Sequence, residues 1–130
     1  MSQRQYVSSG TPWEAMVGYA RAVRVGPLIS VAGTTAVDAQ GQLVSPGDAY
    51  AQTVFILQKI EQALHELGAS LKDTVRTRIY VTDIDRWQAI GQAHHTFFGA
   101  IRPASTMVQI ARLVDPAMLV EIELEAWVEP

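Results

Sequence analysis

The sequence of 130 residues contains no cysteine, and this absence excludes several kinds of chemistry at once. Without thiols the chain can form no disulfide, thiolate nucleophile, thiolate zinc site or iron–sulfur cluster. The absence fits a reducing compartment, and the N-terminal 16 residues are polar and lack the apolar core of a signal peptide. We therefore predict a cytoplasmic protein.

Charge and long apolar runs are also scarce. Charged residues make up 18% of the chain, less than is usual, and the net charge is −3. A dedicated nucleic-acid-binding protein needs a concentrated basic surface, so we expect no nucleic-acid partner. No run of about 18 apolar residues is present, so we expect no membrane span. With 48% hydrophobic residues, residues 1–130 are predicted to form one domain with an ordinary core.

Hydrophobic periodicity predicts an α+β fold with the element order β-β-α-β-α-β-β. Residues 1–16 are predicted to be an irregular lead-in. Strands are predicted at 19–25, 28–34, 74–82, 106–111 and 120–127, and helices at 49–67 and 84–98. Turn signals at Gly26-Pro27 and Asp115-Pro116 suggest that the first two strands form a hairpin, and that the last two do also. The two helices would cover one face of a largely antiparallel or mixed sheet, and a second subunit is the simplest cover for the other face.

Local signals place the helix ends and one irregular strand position. Ser45 or Asp48 is predicted to cap the first helix, and Gly68 to close it. The second helix carries an apolar stripe of Ile84, Trp87, Ile90, His94 and Phe97 or Phe98. Gly33, at the end of the second strand, suggests a bulge or a close approach of another group to the backbone.

The histidines do not suggest a metal site. His94 and His95 are adjacent in a predicted helix and point about 100° apart, so they cannot chelate one ion well. We interpret His94 as a hydrogen-bonded packing residue and His95 as an exposed one. The sequence also lacks a phosphate-binding glycine loop and a serine-nucleophile motif.

The last strand has the clearest period-two pattern in the chain. Its apolar residues Val120, Ile122, Leu124 and Ala126 alternate with Glu121, Glu123, Glu125 and Trp127. A carboxylate on a strand face is usually solvated, but Glu121 would be able to accept a proton or hold a water molecule if a neighbour covered it. Several arginines offer a bidentate carboxylate site, and the residues alone favour none of them: Arg21, Arg24, Arg76, Arg78, Arg102 and Arg112.

Motifs across the whole chain are similar to those of a known family. The segments concerned are Gly18-Tyr19, SVAG at 30–33, Phe97-Phe98, Pro103-Ala104, ARL at 111–113 and VEIE at 120–123. Together they resemble the RidA (YjgF/YER057c/UK114) family. The resemblance implies a chorismate-mutase-like fold and a homotrimer with ligand clefts between subunits. It also implies hydrolysis of 2-aminoacrylate-type enamines and imines to 2-oxo acids and ammonia, without a metal or an organic cofactor.

Compared residue by residue with the family, this chain has some of the family's site residues and lacks others. Tyr19 matches the cleft tyrosine that would position the substrate, and Glu121 matches the glutamate that would activate water. Ser105 stands where the archetype has the arginine that clamps the substrate carboxylate. Ala32 replaces the serine before Gly33, and Gly91 replaces an asparagine. The chain is thus predicted to belong to a divergent subgroup.

Two points about the predicted cleft stay open. Arg102, Arg21 or Arg24 would be able to replace the missing cation. Trp13 and Glu14 would be able to line the same cleft, although Trp13 could instead be a packing anchor for the N-terminus.

Three functions follow from these features. The first is a hydrolase or deaminase acting on small imines, enamines or related carbonyl compounds. The second is a metabolite-binding or chaperone-like trimer without chemistry of its own. The third is a ribonuclease, an activity described for some relatives, which the acidic composition does not support.

Overall fold

Across residues 3–130, the part of the chain that the structure describes, the computed structural model contains six strands and three α-helices. In chain order these are β1 (Arg4–Val7), α1 (Pro12–Val17), β2 (Ala22–Val25), β3 (Leu28–Thr34), α2 (Ala49–Glu66), β4 (Thr74–Val81), α3 (Trp87–Phe98), β5 (Ala104–Gln109) and β6 (Val120–Trp127). Short 3₁₀ turns at Leu71–Asp73 and Ile84–Arg86 precede β4 and α3. The predicted α+β class is confirmed.

All six strands form one mixed sheet in the order β1-β2-β3-β6-β4-β5. Neighbouring strands are antiparallel except β4 and β5, which are parallel. The apolar residues of β6 are at most 2% exposed because this strand lies in the middle of the sheet beneath the helices. The alternation in this strand therefore predicted correctly which face is buried.

The prediction that the last two strands form a hairpin is wrong. The turn after Asp115 exists, since the Met118 N–H donates to its carbonyl oxygen at 3.0 Å, but the strands on either side do not pair. β5 pairs with β4 through the parallel connection that α3 makes, and β6 inserts between β3 and β4. A turn signal reports a local reversal of the chain, whereas strand pairing depends on which apolar faces must share the core.

The prediction of an irregular lead-in is wrong for residues 3–16, while residues 1 and 2 lie outside the described part of the chain. Residues 4–7 pair with β2, and α1 begins at Pro12, a residue favoured in the first helical turn. Gly18 then ends α1 with a φ of 93°, so Tyr19 belongs to the crossing to the sheet and β2 begins at Ala22. β1 has only four residues and α1 six, too few for a periodic pattern.

The first predicted helix corresponds closely to α2. The Asp48 carboxylate accepts the N–H of Ala51 at 2.9 Å, and Gly68 follows the helix with a φ of 79°. In α3, Ile90 and Phe98 are buried as predicted. Trp87 is 55% exposed, which contradicts its predicted place in the buried stripe. It begins the helix one turn before the first buried residue.

The face of the sheet opposite α2 and α3 is open in a single chain. It carries polar side chains that pair with one another: Arg78 binds Glu125 at 2.8 Å, and the Tyr80 hydroxyl donates to Glu123 at 2.7 Å. Together with β1 and α1 this face forms a broad concavity of about 900 Å³. Among the described helices, none has the length and apolarity needed to cross a membrane.

Candidate functional site

A small cavity of about 70 Å³ lies where α1, α2 and the strands β3 and β6 meet. Its polar wall carries two cations and one carboxylate, and the segment before β6 supplies apolar atoms from Val114 and Met118. Its other lining residues include Trp13, Tyr19, Arg21, Gly33, Lys59 and Glu121. Four of the residues predicted for the site, namely Trp13, Tyr19, Gly33 and Glu121, therefore come together here.

Glu121 is held against the backbone of β3. A Cβ atom on residue 33 would lie 2.9 Å from Cδ of Glu121, so only glycine leaves room for the carboxyl group in this position. The register of β3 against β6 shifts between Val31 and Thr34, which confirms the irregularity predicted at Gly33. Burial raises the pKa of Glu121; the nearby Arg21 charge opposes this rise and Glu123 adds to it. A carboxylate with a raised pKa is a stronger base than an exposed one and can accept a proton from water more readily.

Arg21 is only 6% exposed although it carries a full charge. Its Nη1 donates to the Gly33 carbonyl at 3.0 Å, and its Cζ lies 5.6 Å from the centre of the Tyr19 ring. Its Nε and Nη2 have no hydrogen-bond partner within residues 3–130. Buried charged donors without acceptors are costly, so this side chain can gain much from an acceptor in the cavity.

Lys59 extends from α2 to the same cavity. Its Nζ donates to the carbonyl of Val37 at 2.8 Å and to that of Thr35 at 3.3 Å. Burial lowers the pKa of Lys59 to about 8, helped by the charge of Arg21 and opposed by Glu14 and Asp38. At pH 7 the amine is therefore mostly protonated, and the cavity has two positive groups for one carboxylate.

A hydrogen-bonded loop fixes the N-terminal wall of the cavity. Glu14, predicted to line the cleft, is buried and lies outside the cavity wall. It accepts from Ser8 Oγ at 3.0 Å, from Thr11 Oγ1 at 2.9 Å, and from the backbone and hydroxyl of Ser9. Burial alone would raise the pKa of Glu14, but these hydrogen bonds lower it. The ionised side chain thus holds together the turn from which Trp13 reaches the cavity.

The other predicted site residues lie elsewhere in the chain. Ser105 accepts a hydrogen bond from Thr77 Oγ1 at 2.8 Å, and Thr77 also bonds to His94 Nε2 at 2.9 Å. This places Ser105 on the helix-covered face of the sheet, whereas Glu121 is on the open face opposite Tyr80. Gly91 and Arg102 line a shallow groove beside His94, and Ala32 lines the broad concavity. Within one chain, Ser105 and Glu121 do not share a site.

The histidine interpretations are confirmed. The His94 ring lies 4.6 Å from that of Phe98, in addition to its bond to Thr77, while His95 is exposed. Burial lowers the pKa of His94, and His95 lowers it further. Within residues 3–130 no three His, Cys, Asp or Glu side chains are grouped as a metal site would require.

The three arginines considered as carboxylate-binding cations have different surroundings. Arg24 donates to the carbonyls of Gly26 at 2.8 Å and Leu67 at 2.6 Å, so it ties β2 to the end of α2. Arg102 is exposed and lies in the groove beside α3. Arg21 alone among these three lines the cavity of Glu121.

Sequence reasoning missed Lys59 completely. The only signal for it is its position in α2, three residues after Ile56 and one before Ile60, both of which are buried. A lysine beside the apolar stripe of a helix must extend along the covered surface to reach a polar environment. That position gives no information about which carbonyls or charges it meets.

Comparisons with known proteins support the family assigned from the motifs. The family model described as "Endoribonuclease L-PSP" matches residues 10–128. A Streptomyces coelicolor protein named as uncharacterized is 36% identical over 121 residues, which cover 93% of this chain and 90% of that protein. The 3-aminoacrylate deaminase RutC of Acinetobacter baylyi is 34% identical over 128 residues, covering 98% of this chain and all of the other.

Among solved structures, a Mycobacterium tuberculosis member of the YjgF/YER057c/UK114 family superposes with a TM-score of 0.88. It is 52% identical, and the match covers 97% of this chain and 100% of that one. The sequence match and the structural match extend over nearly the same residues. The chain therefore belongs to the RidA (YjgF/YER057c/UK114) family.

Proposed function

We propose that this protein is a hydrolase that converts small enamines or imines to carbonyl compounds and ammonia. The observation that carries the proposal is the half-buried Glu121 in a cavity beside a buried arginine, with a pKa raised toward the range useful for proton transfer. The Acinetobacter baylyi relative supports it, because 3-aminoacrylate is itself an enamine.

The proposed reaction begins from a protonated imine, which an enamine forms by taking a proton on carbon. Glu121 removes a proton from water as the water oxygen bonds to the imine carbon, and the product is a neutral carbinolamine. The protonated Glu121 then returns its proton to nitrogen. The C–N bond breaks, the hydroxyl proton passes to the departing ammonia, and a carbonyl compound and ammonium remain. Tyr19 would orient the substrate at the mouth of the cavity.

An imine generated in situ tests this proposal directly. With 2-iminobutyrate formed by an amino-acid oxidase, we expect 2-oxobutyrate to appear faster than it does spontaneously. Glu121→Gln should return the rate to the spontaneous value, whereas Glu129→Gln, at an exposed position beyond β6, should not change it. If none of several amino-acid-derived imines reacts faster than it does without protein, the hydrolase proposal is wrong.

The proposed assembly is a homotrimer with ligand clefts between subunits. Two observations support association: the face of the sheet opposite α2 and α3 is open in a single chain, and Ser105 and Glu121 lie on opposite faces. Native mass spectrometry should give three times the 14.2 kDa chain mass. A monomer at micromolar concentration would remove the inter-subunit cleft from the proposal.

A non-catalytic, metabolite-binding or chaperone-like trimer is the second candidate, favoured by Ser105 at the position of the family's arginine. It predicts that metabolites raise the melting temperature while no imine is consumed, because a ligand that binds only the folded state stabilises it. A ribonuclease role has less support, because a net charge of −3 does not favour the concentrated basic surface that binding of phosphates needs.

A further inference from the structure

We propose that Arg21 and Lys59 form an anion-binding subsite in the cavity of Glu121, and that it takes the carboxylate of a small substrate within one subunit. The subsite would do the work that the family archetype assigns to an arginine at the position of Ser105. The identification of the anion as part of a substrate rests on the hydrolase activity proposed above. The binding of an anion at this place does not depend on that activity.

One edge of the Arg21 guanidinium has no hydrogen-bond partner within residues 3–130. Nη1 is engaged by the Gly33 carbonyl at 3.0 Å, which fixes the plane of the group. Nε and Nη2, the two nitrogens without partners, carry parallel N–H bonds along one edge of the guanidinium. Such an edge matches the two oxygens of a carboxylate. The unused donors therefore have the arrangement that bidentate carboxylate binding requires.

Residues 3–130 supply no hydrogen-bond acceptor for this edge. Glu121 lines the same cavity, where burial raises its pKa and the Arg21 charge only opposes that rise, and within residues 3–130 no carboxylate lies within 4.0 Å of Arg21. Arg21 is also only 6% exposed, so bulk water does not replace the missing acceptor. An external anion would satisfy both nitrogens at once.

Lys59 adds a second positive charge to the same wall. Its ammonium group donates to two backbone carbonyls, which position it without neutralising it. The lining therefore carries two cations against the single carboxylate Glu121, while the carboxylates of Glu14 and Asp38 act on Lys59 from outside the lining. An anion bound near Arg21 would also favour the protonated form of Lys59.

The size and lining of the cavity narrow the class of ligand. A volume of about 70 Å³ admits a few water molecules or a ligand of several heavy atoms. Val114 and Met118 provide a short apolar wall. We infer a short-chain carboxylate with roughly two to four carbons, whose second functional group faces Glu121. A 2-imino or 3-amino acid of this length has that form.

Comparing the affinity for 2-oxobutyrate with that for its amide measures the contribution of the carboxylate apart from the rest of the ligand. By calorimetry we expect wild-type protein to bind 2-oxobutyrate at least tenfold more tightly than 2-oxobutanamide. Arg21→Gln should abolish that preference, and Lys59→Gln should reduce it. Arg102→Gln, which removes an exposed arginine outside the cavity, should retain it.

Equal binding of acid and amide by wild-type protein would overturn the subsite, and this measurement needs no variant to fold. An Arg21→Gln variant that keeps the wild-type preference would overturn it as well. So would an Arg102→Gln variant that loses as much affinity as Arg21→Gln. If Arg21→Gln does not fold, the Lys59→Gln and wild-type measurements decide.

The outcome is separable from that of the hydrolase proposal. If Glu121→Gln and wild type both bind 2-oxobutyrate through Arg21 but neither consumes imine, the subsite is present and the hydrolase proposal fails. If wild type hydrolyses 2-iminobutyrate and Arg21→Gln does so with an unchanged KM, the hydrolase proposal holds and the subsite fails.

Discussion

The carboxyl carbon of Glu121 occupies the space that a side chain on residue 33 would need, since a Cβ atom there would lie 2.9 Å from it. The same Gly33 accepts a hydrogen bond from Arg21 at 3.0 Å through its carbonyl oxygen. One glycine thus brings a carboxylate and a guanidinium to the same cavity without letting them form an ion pair.

Gly33→Ala should impair the reaction more than the fold. The added methyl group meets the end of a flexible side chain, so we expect the Glu121 carboxyl group to move. Imine hydrolysis should fall roughly tenfold to a hundredfold, whereas the free energy of unfolding should fall by about 1 kcal/mol. Rates and urea unfolding measure the two effects.

Gly91→Ala is the matched control for stability, because a Cβ atom there meets nothing within 4 Å and the residue lies inside α3. Alanine should stabilise that helix by up to about 1 kcal/mol. A Gly33→Ala variant with full activity would show that the carboxyl group does not need its present position.

Glu121→Gln should make the protein more stable at neutral pH. The pKa of Glu121 is raised in the folded state, chiefly by burial, above the ordinary value of 4.5. The folded chain therefore binds more protons than the unfolded chain above pH 4.5, and stability is lost as the pH rises through the folded pKa. The glutamine variant avoids this loss.

Urea unfolding at pH 4 and pH 7.5 tests this sign. The stability advantage of Glu121→Gln over wild type should be larger at pH 7.5. An advantage that grows toward acid pH instead would mean that the ionised carboxylate is stabilised by its surroundings, contrary to the effect of burial.

Lys59 should have the opposite effect to Glu121: at alkaline pH it should make the stability of the protein rise with pH. Its pKa is about 8 in the folded state against an ordinary value of 10.5, so the unfolded chain binds more protons between these two values. Stability therefore rises with pH across that window. Relative to Lys59→Met, wild type should gain stability between pH 7.5 and pH 9.5, as measured by urea unfolding.

Lys72 is the only other lysine in the chain and is exposed, so Lys72→Met is a natural control. The difference between wild type and Lys72→Met should change little over the same range. Equal pH dependence of the two lysine variants would contradict the burial of the Lys59 amine among Arg21, Glu14 and Asp38.

Thr77→Val should destabilise the protein by roughly 1–3 kcal/mol. Thr77 is fully buried, and its hydroxyl bonds to both His94 Nε2 and Ser105 Oγ. Valine has nearly the same shape as threonine, but it leaves the half-buried imidazole of His94 without its hydrogen-bond partner. Thr106→Val, at an exposed position in β5, should stay within about 0.5 kcal/mol of wild type. Similar unfolding midpoints for the two variants would show that the hydroxyl contributes no net stability.

Part of the candidate site was predictable from sequence because its residues belong to recognisable motifs. Tyr19, Gly33 and Glu121 follow from the family resemblance, and the structure places them around one cavity. Ser105 and Gly91 come from the same resemblance, and Arg102 was considered as a replacement cation, but all three lie outside that cavity. A motif relates positions across a family, and it does not state which of them meet within a single subunit.

The sequence alone determined the elements with strong local patterns. The alternation in β6 identified its buried face, and Asp48 and Gly68 marked the ends of α2. Both signals are local, because the periodicity of apolar residues and helix capping depend only on residues close in sequence. Tertiary structure decided that β6 lies between β3 and β4, that β5 pairs with β4, and that Arg21 rather than Arg24 lines the cavity of Glu121. Strand order and the surroundings of a charge depend on groups distant in the chain, and no local pattern encodes them.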